Sequence, residues 1–320
     1  MLITGAHGFV GRALLARALA DGRSVRAFVR RGYVPGVQTV EGDLVDAGSV
    51  LRACSGVDTI VHCAGLAHVG GDEALHWQVN HQGVRMLAEA AVQKGVRRLV
   101  LVSSVKAMAE PGEVCADEDW RAGVEPETAY GRSKRAAERL LTGVFSPMGL
   151  EVVIVRPCAV YGPGCKGGLA AFVESVARGR VPPLPETGAK RSLLHLDDLV
   201  EGLILAADEP CAAGRTYVLA GPDCVSSRGL QAAILATAGK TMPAWSVPAW
   251  ALRAAARTGD CLRGLGWKGV PFDSDVLSRL FGGGCYRPAR AEAELGWRAR
   301  VRLEDGLRSM LSGVAEREGC

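Results

Sequence analysis

Leu2-Ile3-Thr4-Gly5-Ala6-His7-Gly8-Phe9-Val10-Gly11 opens the chain and decides how the rest of it is read. A short apolar run ends on three glycines at three-residue spacing, and the helical run from Arg12 to Leu19 follows. A strand that stops on glycines where a helix starts builds an anion site. The first N–H groups of the helix point outward, its dipole favours negative charge, and missing side chains let a pyrophosphate come close. The spacing is G-x-x-G-x-x-G, wider than G-x-G-x-x-G, so a glycine turn without a ligand stays open on this stretch alone. Downstream, Ser24–Val29, Thr39–Glu41, Asp58–His62, Arg98–Val102 and Val152–Arg156 read as strands. Helical stretches separate them, one from Asp46 and one over Asn80–Lys94 with Val84, Leu87, Ala88 and Ala91 on one face. This alternation predicts an α/β fold, a doubly wound parallel sheet covered on both sides, with ligands outside the carboxyl ends of the strands. Gly5, Arg30, Asp43, Ala64 and Ser104 fall at those ends.

Composition narrows the function classes. The 320 residues are 48% hydrophobic and 22% charged, ordinary for a globular chain with a sizeable core. A formal net charge of +4 without any basic run suits an anionic small molecule and argues against nucleic acid. The six histidines and ten cysteines form no zinc spacing, so no metal is expected, and the scattered cysteines read as reduced thiols. No apolar run is long enough to span a bilayer. The chain starts directly in a strand, which leaves no room for a targeting segment, and the expectation is a cytoplasmic protein.

Tyr130-Gly131-Arg132-Ser133-Lys134 follows a loop rich in Glu, Asp, Pro and Gly and opens a helix carrying Ala136, Ala137, Leu140 and Leu141. Tyrosine and lysine four apart lie on one helical face. An ammonium near a phenol is expected to lower the tyrosine pKa, so that it can exchange a proton with a sugar or alcohol hydroxyl near neutral pH. An exposed Tyr–Lys pair of no consequence is the alternative for these two residues taken alone.

Taken together, the glycine loop, the strand ending in Ser103-Ser104 and Tyr-x-x-x-Lys beginning 26 residues after Ser104 resemble the short-chain dehydrogenase/reductase superfamily. The chain looks like its extended branch of nucleotide-sugar epimerases, dehydratases and reductases. The likeness extends through His62-Cys63-Ala64-Gly65, Val79-Asn80, Arg156-Pro157, Val160-Tyr161-Gly162-Pro163-Gly164, Arg191–Leu199 and Glu294-Leu295-Gly296-Trp297. The resemblance implies that Ser104 hydrogen-bonds the reacting C4 oxygen, Tyr130 is the acid/base, and Lys134 tunes Tyr130 and holds the nicotinamide ribose. It implies that Gly5, Gly8, Phe9, Val10 and Gly11 hold the pyrophosphate, Asp43 and Leu44 flank the adenine, and Ala64 and Gly65 line the ribose path. Pro157 would abut the nicotinamide, and Ser103 is the weaker serine of the pair. Arg191, with Lys166 and Arg279 as weaker candidates, falls where relatives bind the phosphates of a UDP-sugar, a contact for which guanidinium geometry is suited. Where relatives often place Asn after Pro-Gly-x-Lys-Gly, this chain has Gly168.

Three chemistries share such a scaffold. Dehydratases of this kind carry an Asp-Glu pair after the catalytic hydroxyl residue, and here Val105-Lys106 follow Ser104, which argues against water elimination. At the end of the second strand an acidic residue would bind the adenosine hydroxyls and favour NAD; this chain has Arg30-Arg31, two cations suited to a 2′-phosphate. NADP(H) is therefore favoured over NAD(H), and with it net reduction. The stretch Ser103–Ala107, with His62 to His68, also resembles a subgroup containing reductases of UDP-4-keto-6-deoxy-N-acetylhexosamines, in surface-polysaccharide synthesis. C4 epimerisation of UDP-glucose or UDP-N-acetylglucosamine with retained NAD is the second reading, and a non-catalytic NADP sensor the third.

Residues 1–160 are expected to form the Rossmann NAD(P)-binding domain and 161–320 a mainly substrate-binding α/β domain, with segments such as Leu196–Ala207 returning to the sheet. Trp245–Arg257 is amphipathic, with two tryptophans and two arginines, and reads as a helix packed on the substrate domain or as one lying at a membrane surface. The resemblance implies a homodimer paired through sheet-domain helices that include the Tyr130 helix.

Overall fold

The computed structural model of the chain describes residues 1–67, 72–112, 114–120, 123–267, 269 and 272–318, the side chains of residues 279 and 313–318 excepted. The N-terminal half runs β1 (Leu2–Thr4), α1 (Phe9–Ala20), β2 (Arg26–Val29), β3 (Gln38–Glu41), α2 (Ala47–Cys54), β4 (Thr59–His62), α3 (Glu73–Trp77), α4 (Gly83–Gln93), β5 (Arg98–Val102), β6 (Cys115–Ala116), α5 (Ala129–Leu140) and β7 (Glu151–Pro157). There follow β8 (Ala159–Tyr161), α6 (Gly168–Ala177), β9 (Lys190–His195), α7 (Leu196–Asp208), β10 (Thr216–Leu219), β11 (Cys224–Ser226), α8 (Ser227–Thr237), α9 (Ala249–Gly264), α10 (Ser274–Phe281), β12 (Cys285–Tyr286), α11 (Ala289–Leu295) and α12 (Leu303–Glu318).

Successive strand residues point to opposite sides of a sheet, and here both sides are apolar. Ile3, Val61, Val100 and Val153 face α1 and α7, where Leu14, Leu15, Leu199 and Leu203 meet them. Leu2, Ile60, Leu99 and Val152 face α2, α4 and α5, where Val50, Leu87, Ala137 and Leu141 meet them. The result is the doubly wound sheet expected from the sequence, in the order β10-β7-β5-β4-β1-β2-β3 with every pairing parallel. From β1 the chain builds outward through β2 and β3, then returns to the other side of β1 with β4. The switch point, where such sheets open a crevice, thus lies between β1 and β4.

The C-terminal half does not stay apart from this sheet. Helix α7 packs beside α1 and β10 adds to the edge strand β7. The remaining segments form a second layer around Tyr161, Val173, Leu193, Leu230, Ile234 and Leu307, with the sheet β11-β9-β8.

The helix expected over Asn80–Lys94 is interrupted: residues Gln78–Gln82 make a π turn before α4 begins at Gly83. The cysteines are not all free thiols. Parallel pairing of β6 with β12 brings the Cα atoms of Cys115 and Cys285 to 4.4 Å, within disulfide range, and the two are bonded. Thiol usage therefore no longer argues for a reducing compartment. Among the described residues no helix is long and apolar enough to cross a membrane.

Candidate functional site

The glycine loop is shaped by contacts that admit no side chain. Gly5 has φ +68°, and a β-carbon there would lie 2.7 Å from the Ala64 nitrogen at the end of β4. A β-carbon on Gly11 would collide with the Gly5 carbonyl oxygen. The loop therefore folds flat between the two switch-point strands. Gly8 donates its N–H to the Gly5 oxygen at 2.8 Å and starts α1, which no side chain caps. The N–H groups of Phe9, Val10 and Gly11 have no acceptor within the helix and are left for an anion. Absent β-carbons and unclaimed donors at one spot fit a dinucleotide pyrophosphate.

Around this cradle stand the other residues expected from the sequence. Thr4 Oγ1 hydrogen-bonds His62 Nδ1 at 2.8 Å and accepts the Ala64 N–H at 3.2 Å, tying the ends of β1 and β4 together. Arg30 and Arg31 follow β2, both exposed and with no ion pair among the described residues. A β-carbon on the adjacent Gly32 would sit 3.9 Å from the His7 ring, so the turn that follows the two arginines passes beside the glycine loop. Asp43 is exposed and braces its own turn by accepting the Val45 N–H at 3.2 Å, while Leu44 is buried against Gly83. Ala64 and Gly65 continue from β4. Of the His62-to-His68 stretch, His68 lies outside the described residues.

The reacting group is assembled by α5. Thr128 Oγ1 accepts the Gly131 N–H at 3.0 Å, which fixes the helix start and puts Tyr130 in its first turn. A β-carbon on Gly131 would collide with the Lys106 carbonyl oxygen, so only glycine lets α5 close on the turn Val105–Ala107. That approach brings the Ser104 hydroxyl beside the Tyr130 phenol, where it acts to lower the phenol's pKa. Lys134 is buried one helical turn on, its Nζ donating to the Val102 carbonyl at 2.9 Å and lying 6.0 Å from the Tyr130 ring centroid. Sequence reasoning assigned no role to Asn80. Its side chain accepts the Leu66 N–H at 2.8 Å, donates to the Leu66 oxygen at 3.0 Å and donates to Ser133 Oγ at 3.1 Å. Asn80 thereby couples the loop after β4 to the Tyr130 helix.

The electrostatics differ from the expectation. Burial raises the Tyr130 pKa, and the neighbouring Ser104 hydroxyl only partly opposes it, so the phenol is neutral near pH 7 without a cofactor. The perturbed cation is Lys134: burial pulls it from its ordinary 10.5 down to about 8, against the opposing pull of Glu138. Below about pH 8 folded and unfolded chains are both charged here, and burying the ammonium costs the fold up to roughly 3 kcal/mol. Between about 8 and 10.5 the folded chain loses its proton first, the unfolded chain binds more, and stability rises with pH. Lys134→Met should accordingly stabilise the cofactor-free protein by about 1–2 kcal/mol at neutral pH, after the lost Val102 hydrogen bond is counted, and abolish that rise. Thermal melts near neutrality and near pH 9.5 check it; a lower melting temperature than the parent at neutral pH contradicts it.

Ser103 is turned into the protein, not to the crevice. Its hydroxyl hydrogen-bonds Glu138 Oε1 at 2.6 Å, and Glu138 holds Arg156 through two bonds of 2.9 and 2.6 Å, all buried. A cofactor contact through the Ser103 hydroxyl is thus replaced by a strut between β5, α5 and β7. Pro157 closes β7 at its carboxyl end, paired with Leu219.

On the substrate side Arg191 is half-buried. Its Nη2 donates to Ser227 Oγ at 3.2 Å, to the Gly282 oxygen at 2.8 Å and to the Leu280 oxygen, which seats the end of α10 beside β9. No hydrogen bond to Nη1 or Nε occurs among the described residues. Lys166 is exposed on the loop before α6. Arg279 belongs to α10, and its side chain lies outside the described residues. The Cys115–Cys285 bond ties the segment after Ser104 to this same α10–β12 region.

Comparison with known proteins agrees with this arrangement. Residues 1–220 match the NAD dependent epimerase/dehydratase family. A Vibrio cholerae protein named UDP-glucose 4-epimerase is 29% identical over 323 residues, covering 96% of this chain and 93% of its own length. The 4-hydroxy-2-methyl-3-oxo-4-farnesyl-3,4-dihydroquinoline-1-oxide ketoreductase of Stigmatella aurantiaca is 28% identical over 321 residues, covering 95% of this chain and 93% of its own. The solved structure of Thermus thermophilus UDP-glucose 4-epimerase in complex with NAD superposes with a TM-score of 0.76 at 25% identity, over 98% of each chain. Since the match takes in 220 of the 320 residues and the relatives span nearly the whole length, the chain belongs to the NAD dependent epimerase/dehydratase family of enzymes.

Proposed function

We propose that the protein is an NADP(H)-dependent oxidoreductase that reduces the C4 ketone of a UDP-hexose, such as a UDP-4-keto-6-deoxy-N-acetylhexosamine, in surface-polysaccharide synthesis. The observation that carries the cofactor choice is the Arg30–Arg31 pair, exposed and free of carboxylate partners among the described residues, beside the glycine loop where a 2′-phosphate would sit. When bound, the dinucleotide supplies the hydride that converts the C4 carbonyl carbon to an alcohol carbon. Tyr130 gives its proton to the C4 oxygen, Ser104 holds that oxygen, and Lys134 sits where it meets the nicotinamide ribose and steadies the phenolate left behind. Gly5, Gly8, Phe9, Val10 and Gly11 hold the pyrophosphate, Asp43 and Leu44 the adenine, Ala64 and Gly65 the ribose, and Pro157 the nicotinamide face. The free Nη1 and Nε of Arg191, with Lys166 and Arg279, take the UDP diphosphate.

Replacing both Arg30 and Arg31 by alanine should weaken NADPH binding by about 10–100-fold and leave NADH binding within about twofold, because only the phosphate contact is lost. Isothermal titration with both nucleotides checks this. A parent protein that already prefers NADH contradicts the cofactor assignment.

C4 epimerisation with a retained NAD is the second reading, favoured by the likeness to UDP-glucose 4-epimerases. Incubation with UDP-glucose and UDP-N-acetylglucosamine, with no cofactor added, separates the two: robust formation of the 4-epimers overturns the reductase reading. With either reaction we infer a cytoplasmic homodimer paired across α5. Exposed Leu75, Trp77, Val144 and Met148 near that helix support the pairing.

A further inference from the structure

Helix α9 packs on one side and offers the other to solvent. Leu252, Ala256 and Gly259 are its buried residues, and at 100° per residue they share one face. Opposite them Trp250, Arg253, Arg257, Cys261 and Leu265 follow in a single exposed stripe. Trp250 is 71% exposed and Leu265 80%, with Trp245 just before the helix at 62% and Trp267 just after it at 67%. Tryptophans thus stand at both ends of a helix roughly 24 Å long, joined by Leu265 at the second end, with two arginines between them.

The charges of this segment are sorted by face. Asp260 is turned to α10, where it accepts from the Ser274 N–H and hydroxyl. Arg263 is also on that side, paired with Asp273 and Asp275. Arg253 and Arg257 have no ion pair among the described residues, so the outward stripe carries cations and no carboxylate.

We propose that this stripe docks on an anionic membrane surface, with α9 lying in the plane of the headgroups. Tryptophan is the side chain suited to that depth, where its apolar body is covered and its N–H stays wet. Arginines between the tryptophans keep their stems along the apolar boundary and their guanidinium groups among lipid phosphates. Charge selects this partner over a second copy of the chain. A two-fold contact through the stripe would set Arg253 and Arg257 of one copy against those of the other. The inference stands apart from the reductase reading, since no residue of the stripe belongs to the crevice.

Flotation of the purified protein with vesicles containing phosphatidylglycerol tests it, against vesicles of phosphatidylcholine alone. The protein should float with the anionic vesicles, with a blue shift of tryptophan emission, and release as salt is raised. Trp250→Ala with Trp267→Ala, and separately Arg253→Glu with Arg257→Glu, should each cut the bound fraction roughly tenfold while circular dichroism stays unchanged. Absence of flotation, flotation untouched by either pair of substitutions, or self-association lost with the same substitutions in lipid-free buffer would each overturn it.

Discussion

Replacing Tyr130 by phenylalanine should lower kcat for reduction of the C4 ketone by about 10²–10⁴-fold while leaving NADPH binding within about twofold. The substitution removes one oxygen, the proton donor, from a ring already held in the first turn of α5 by the Thr128 cap and the close approach at Gly131. Circular dichroism should match the parent, because the helix keeps every other contact. The size of the loss separates an acid/base role from a positioning one. Unchanged turnover in a native-like Tyr130→Phe protein would refute the catalytic assignment and return the chain to an NADP-sensing role.

Glu138→Ala should be the most destabilising single change within the site's framework, costing about 3–5 kcal/mol and lowering the melting temperature on the order of 10 °C. Glu138 is buried and takes three hydrogen bonds, one from Ser103 and two from Arg156. Its loss leaves the Arg156 guanidinium in the interior without a counter-charge, which is what makes the single deletion severe. Replacing both members by apolar residues of similar volume, Glu138→Met with Arg156→Met, should recover much of the stability, since neither charge then remains uncompensated. Kinetics add a second readout. The Ser103–Glu138 bond joins β5 to α5, the two elements carrying Ser104 and Tyr130, so the alanine variant should also lose turnover below its melting range. Denaturant titration of the single and double variants checks the order; a single-variant loss under about 1 kcal/mol would contradict it.

The architecture was legible because the periods that build it are local. Near-continuous apolar strands such as Arg98–Val102 and an amphipathic α4 announce a two-sided sheet, and glycines at 5, 8 and 11 mark a turn that must pass another backbone closely. Ser104 and Tyr130 were found from a spacing that the close contact at Gly131 turns into nearness. Features made by residues far apart in sequence were not legible. Asn80 sits within a helical pattern, and nothing local says that it will tie Leu66 to Ser133. Cys115 and Cys285, separated by 170 positions, look like two thiols among ten until β6 and β12 pair. Spacing placed Lys134 one turn from Tyr130, yet burial, which no spacing encodes, governs the pKa of both. The likeness ranked Ser104 above Ser103 without saying what Ser103 does instead; the folded chain turns it inward to Glu138 and leaves Ser104 at the crevice.

The most direct measurement follows the hydride. Purified protein is mixed with a UDP-4-keto-6-deoxy-N-acetylhexosamine and NADPH deuterated at the transferring position of the nicotinamide C4, and the product is read by mass and proton NMR. Deuterium at the sugar C4, with one NADPH oxidised for each sugar reduced, is the predicted result. An unlabelled sugar with no loss of NADPH absorbance, accompanied by C4 epimers of UDP-glucose in the cofactor-free control, would contradict it.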